Sequence, residues 1–164
     1  MRTISNTSPL LNLAIIGQLA LVKQQFGAVN IPPAVLEELR VDESLPGSIA
    51  LRQALNQGWI QVQAVTDYAL VQLLRRTLDA GEAEAIALAA QTQAGWLLLD
   101  EREGRLAAKT LELQVTGVLG ILLRAKREGH IVSLESALKD LQTLAGFYIA
   151  PSLFKSLLHS ADEL

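Results

Sequence analysis

Residues Asp79 to Asp100, DAGEAEAIALAAQTQAGWLLLD, read as a helix feeding a buried strand, with carboxylates at both outer ends. Asp79, Gly81, Glu82 and Glu84 open a run, Ala83 to Gln91, that is apolar at all but two positions, which predicts a helix buried over most of its surface. Gly95 is expected to turn the chain. Trp96, Leu97, Leu98 and Leu99 then form a short continuous apolar run, the pattern of a central parallel strand covered by helices on both faces. Asp100 therefore stands at a strand's carboxyl end, the edge where open α/β sheets bind ligands.

The same alternation extends in both directions. Towards the amino terminus, Arg2 to Ser5 reads as a strand and Asn6-Thr7-Ser8-Pro9 as its exit, with Ser8 as the cap and Pro9 at the first helical position. Helices through Leu10–Gly17 and Gln18–Gln25 lead to a strand at Ala28–Ile31. Pro32-Pro33 starts a helix whose Val35, Leu36 and Leu39 share one apolar face; Glu38 falls about 60° from Val35, whereas Glu37 points nearly opposite. Glu38 can thus look into a site. Val41–Pro46 is loop, Gly47–Gln57 helix, Trp59–Val65 an exposed-edge strand and Asp67–Thr77 helix. Beyond Asp100 the pattern predicts a helix over Glu101–Leu111, a strand at Gln114–Thr116, and helices over Gly117–Arg127, Ser133–Leu144 and Pro151–Ser160. Parallel neighbours need crossover connections, so this alternation calls for an α/β fold: a mostly parallel sheet of four to five short strands wrapped by helices, in a single domain over residues 1–164.

Composition narrows the chemistry. The chain has 164 residues, half of them hydrophobic, and a net charge of -3, which argues against a generally basic nucleic-acid coat protein. Without cysteine there are neither disulfides nor thiolate metal sites, and His130 and His159 are too far apart to suggest a local imidazole site. The amino-terminal residues show neither a signal peptide nor a membrane span, so a cytoplasmic protein with no membrane association is expected. Asn6, Glu38 and the acidic residues around Asp100 come from separated segments, two of which end strands that a right-handed βαβ topology can bring side by side. Such convergence suits Mg²⁺ or Mn²⁺, which take hard oxygen ligands, and phosphodiester hydrolysis, which uses a metal to hold phosphoryl oxygens and activate water. Arg102, Arg105 and Lys109 share one helical face just after Asp100, where they can hold an RNA backbone or simply be solvated. The apolar segments Leu134–Leu144 and Tyr148–Leu158 exceed what one small core needs, so a homodimer is expected.

Four stretches, Ser5–Leu10 (SNTSPL), Ile31–Leu39 (IPPAVLEEL), Gly81–Ala89 (GEAEAIALA) and Leu97–Arg105 (LLLDEREGR), resemble the successive motifs of PIN domains. Val115–Gly120 (VTGVLG) and Gly146–Ile149 (GFYI) resemble a prokaryotic, VapC-like branch of that family. The resemblance implies a three-layer PIN-like fold and a metal-dependent ribonuclease, the toxin of a toxin–antitoxin pair, with an antitoxin protein as partner. It places Asn6 at the first acidic position, Glu38 at the second, Glu82 or Glu84 at the third and Asp100 at the fourth, with Thr7 and Ser8 beside the first. Glu38, Glu82 and Asp100 are then the catalytic residues. Asn6 departs from the pattern, since an amide offers a carbonyl oxygen to a metal but no charge. The alternative is an attenuated PIN-like module that binds a protein or RNA without cleavage. Structural roles compete at each position: Asp79 and Glu82 also fit a capping box, Asp100 also fits a helix cap, and Glu84 lies about 200° around the helix from Glu82, so only one of the pair can face a common point.

Overall fold

A computed structural model describes residues Met1–Leu164. Five short strands, β1 (Thr3–Ser5), β2 (Val29–Ile31), β3 (Ile60–Val62), β4 (Trp96–Leu98) and β5 (Val115–Thr116), form one sheet in the order β3-β2-β1-β4-β5. Every pairing is parallel, with Ser5 beside Leu98 and Ile4 beside Asn30. The connections carry α1 (Thr7–Ile15), α2 (Ala20–Phe26), α3 (Pro33–Leu39), α4 (Ser48–Gln57), α5 (Tyr68–Leu74), α6 (Ala80–Thr92) and α7 (Arg102–Thr110). After β5 come α8 (Val118–Arg127), α9 (Leu134–Thr143) and α10 (Pro151–Ser160). The architecture is thus the three-layer α/β arrangement expected, with an all-parallel sheet, and no helix is long and apolar enough to cross a membrane.

Alternate strand residues face opposite layers, which divides the apolar interior in two. Val29, Ile31, Ile60 and Leu98 join a cluster of 25 buried residues under α1, α2, α4, α8 and α9. Ile4, Leu97 and Leu99 face the other way, into a cluster of 11 built largely from α6, with Val65, Leu78 and Ala108. Small residues let α6 lie deep: Ala83, Ala85, Ala87 and Ala89 are all fully covered. By contrast α5 buries no residue completely and packs Leu70, Val71 and Leu74 against the second cluster.

One local expectation is corrected. The first helix begins at Thr7 with Asn6 as its N-cap, so Ser8 is not the cap and Pro9 is the third helical residue; the Ser8 hydroxyl is engaged elsewhere. Gln93 takes the left-handed conformation that ends α6 (φ 51°), and Gly95 bends the chain into β4 as expected. Glycine at 95 also answers a close approach: its N–H donates to Arg2 O at 2.8 Å, and a Cβ would lie 2.9 Å from the Met1 Cβ.

Candidate active site at the ends of the central strands

Between β1 and β4 the strand order reverses, since β2 and β3 extend the sheet one way and β5 the other. The crevice at the carboxyl ends of such a pair is where open α/β sheets place their ligands. The Asn6 N–H donates to Leu98 O at 2.9 Å, so the two exits run side by side. Asn6 and Glu101 are both still extended. Two-residue periodicity therefore sends Asn6, like Ile4, and Glu101, like Leu99, to the α6 side, and Asp100 to the α8 side.

On the α6 side, buried Asn6 donates from Nδ2 to Glu101 Oε2 at 3.1 Å, and Ser8 Oγ donates to Glu101 Oε1 at 2.6 Å. Thr7 Oγ1 donates to Glu38 Oε2 at 2.5 Å, and the Gly81 N–H to Glu38 Oε1 at 3.0 Å. Glycine at 81 keeps this approach open, as a Cβ there would overlap the Glu38 carboxylate. Glu82, in the first turn of α6, is buried; Asp79 Oδ1 caps the helix by accepting from the Glu82 N–H at 2.9 Å. Only this half of the capping box forms. Burial first, then Asp79, Glu101 and Glu38 around it, push the Glu82 carboxyl up to about 8.

On the α8 side, Asp100 Oδ1 accepts from the Val118 N–H at 3.0 Å at the start of α8. Arg105 Nη2 is 4.0 Å from the same oxygen, and Arg105 Nε donates to Leu99 O at 2.9 Å. Asp100 Oδ2 is buried without a partner. Burial raises the Asp100 carboxyl to about 6, against the lowering effects of the Val118 amide and Arg105, with Glu101 adding to the rise.

Asn6, Glu38, Glu82, Thr7 and Ser8 thus gather around the α6 start. Glu84 leaves this group, its Oε1 accepting the Ala34 N–H at 3.1 Å at the start of α3, and Asp100 faces the opposite side of β4. Arg102 and Lys109 lie exposed on α7. The residue that sequence reading left out is Glu101. Its signal was present in the alternation along Leu97, Leu98 and Leu99, which continues through Asp100 and makes Glu101, not Asp100, the partner of Asn6.

The donors suit a hard divalent cation in kind. They are carboxylate and amide oxygens, Asn6 Oδ1 is a buried acceptor with no partner, and Glu82 is crowded by three other carboxylates with no cationic side chain among the influences on it. No three acidic or imidazole side chains converge tightly on one point; Asn6, Thr7, Ser8 and the Gly81 amide hold Glu38 and Glu101 with hydrogen bonds. Compared with known proteins, residues 2–163 match the family model described as PIN domain. No curated protein matches the chain.

Proposed function

The chain belongs to the PIN-domain family, whose members are generally nucleases that use divalent metal ions, and from that premise we propose that it is a divalent-metal-dependent endoribonuclease hydrolysing RNA phosphodiester bonds. The observation that carries this reading is the uncompensated acidity at the start of α6: Glu82 is buried among Asp79, Glu101 and Glu38, and Asn6, which donates to Glu101, has a buried Oδ1 that accepts nothing. Glu38, Glu82, Glu101 and the Asn6 carbonyl oxygen would hold Mg²⁺ or Mn²⁺. When bound, such an ion neutralises phosphoryl oxygens and acidifies a water. Asn6 and Ser8 orient the Glu101 carboxylate, and Thr7 and the Gly81 amide orient that of Glu38. Exposed Arg102 and Lys109 on α7 hold the RNA backbone against this acidic group, which by itself repels it.

The wider reading is that of a cytoplasmic, VapC-like toxin held in check by an antitoxin protein. Exposed Leu144, Tyr148 and Leu153 support a homodimer formed through the carboxyl-terminal helices. One observation favours the rival reading of a module that binds without cutting: the Asn6 amide already offsets part of the Glu101 charge by donating to it, which lessens the need for a cation. Calorimetric titration with Mn²⁺, followed by an RNA cleavage assay with an EDTA control, separates the two. Saturable Mn²⁺ binding with EDTA-sensitive cleavage is expected; RNA binding without metal uptake or cleavage would leave the binding module.

A further inference from the structure

Helices α5, α6 and α7 form one layer: α5 and α7 both pack against α6, which covers β1 and β4, while α7 lies over β5 and α5 is reached from β3 at the opposite edge of the sheet. The end of α5 runs into Asp79, the cap of α6, and α7 starts directly after β4, so the acidic crevice has a helix end on either flank. Of the chain's 14 lysine and arginine residues, five form ion pairs, and Arg2 and Arg52 donate hydrogen bonds. Four of the seven that remain without an acceptor, Arg75, Arg76, Arg102 and Lys109, belong to these two flanks, and all four are exposed. Free cations therefore gather beside the carboxylates without collapsing onto them, in place to hold an anion that the carboxylates alone repel. Arg75 continues α5 in helical conformation (φ -63°), so Tyr68, Gln72 and Arg75, spaced by four and three, share one exposed face. Leu70, Val71 and Leu74 turn the other way, towards the second apolar cluster. Tyr68 is 67% exposed, does little for the core and stands about 10 Å along the helix from Arg75.

We propose that α5 and its end form a second arm of the RNA site: Arg75 and Arg76 grip backbone phosphates of a single strand on the β3 flank of the acidic crevice, and Tyr68 stacks on a base farther along. The strand then crosses the start of α6 to reach Arg102 on α7. Neighbouring helices pack about 8–10 Å apart, so the two flanks are roughly 20 Å from each other and a segment of several nucleotides joins them. The arm tolerates any sequence, since phosphate contacts carry no base information and every base has a π-face. A duplex keeps those faces inside its stack, so the arm takes single strands. The proposal rests on the nuclease reading in taking RNA as the anion.

The test is binding of a labelled uridine dodecamer, followed by fluorescence anisotropy across a salt series in EDTA and again with Mn²⁺, with an RNA duplex of the same length alongside. Arg75→Gln combined with Arg76→Gln should weaken binding about tenfold at low salt and flatten the slope of log affinity against log salt by about 1.4, two phosphate contacts at about 0.7 each. Arg75→Lys with Arg76→Lys keeps the charges and should keep the slope. Tyr68→Ala should weaken single-strand binding about tenfold and leave the slope alone, whereas Tyr68→Phe retains the ring and the affinity. The same charge removed from the other layer, by Arg127→Gln with Lys155→Gln, should cost under about twofold. All of these side chains are exposed, so melting curves should match that of the parent protein. An unchanged slope in the double glutamine variant, an equal loss in the Arg127 and Lys155 control, a duplex bound as tightly as the single strand, Tyr68→Ala without effect, or no binding in either buffer would each overturn the arm. RNA binding that depends on Arg75 and Arg76 with no Mn²⁺-dependent cleavage would support the arm and sink the nuclease reading. Mn²⁺-dependent cleavage whose KM ignores the double glutamine substitution would do the reverse.

Discussion

Asp100 and Glu101 are neighbours in the chain, yet their carboxylates lie in two different electrostatic settings. Glu101 joins Asn6, Glu82 and Glu38 on the α6 side, where hydroxyl and amide donors are the only compensation and the Glu82 carboxyl is pushed up to about 8. Asp100 meets a helix-start amide and a nearby guanidinium on the α8 side, and rises only to about 6. The difference teaches that one peptide unit at a strand end is enough to separate a place that asks for a cation from a place that asks for a hydrogen-bond donor.

The strongest way to break this contrast is Glu101→Gln. It removes charge from the α6 side alone, and cleavage should fall by about 100-fold or more, since even an outer partner of a metal ligand is worth about 10–100-fold. Asp100→Asn should cost less turnover; an equal loss in a Mn²⁺-dependent assay would mean that the two sides act as one site. Acidity gives a second handle. Native Glu82 keeps its proton up to about pH 8, whereas an unfolded glutamate releases it near its ordinary value of 4.5, so in that window the native state binds more protons. Stability from this group is present in full below about 4.5 and is lost as pH rises through about 8. Melting temperatures in EDTA should therefore fall between pH 6 and 9, and Mn²⁺ should flatten the decline. Asp100 has the same sign, but its window closes at about 6 and leaves the upper range to Glu82.

Asn6→Asp sharpens the contrast with a smaller effect. It exchanges the donation to Glu101 for repulsion, so the cation-free protein should lose about 1–2 kcal/mol while the Mn²⁺-bound form gains a similar amount. A mutant that stays destabilised at millimolar Mn²⁺ would count against the nuclease reading. The smallest effect is expected at Glu84→Gln, outside both settings: the amide still accepts from the Ala34 N–H, and only the charge at the start of α3 is lost, about 0.5 kcal/mol in chemical denaturation.

Much of this was legible in the sequence. The order of strands and helices followed from periodicity, and the burial of α6 from its run of alanines. Glu38 was placed by its angle from Val35, and the need to choose between Glu82 and Glu84 by the helical period. The errors have two physical sources. Capping depends on which side chain has somewhere better to go, so Ser8 was misread because Glu101 draws its hydroxyl away, and a carboxylate 93 positions distant cannot be seen locally. Gly95 bends the chain as expected, but the nearness of Met1, which also demands glycine there, could not be seen locally. At Asp100 and Glu101 the motif pointed to the strand end but not to the face, which the alternation of Leu97 to Leu99 decides.

Helix α5 carries a consequence for how the molecule moves. It is anchored by the Asp67 cap on the Leu70 N–H and by Gln91 Oε1, which accepts from the Thr66 N–H at 2.7 Å, but by no fully covered side chain. Segments with so little buried area open at a fraction of the global unfolding free energy, so its amides should exchange with deuterium long before those of β1 and β4. Since α5 runs directly into the turn that presents Asp79 and Glu82, each such opening slackens the rim of the acidic crevice. Access to that crevice then draws on local breathing of the fold and needs no dedicated hinge.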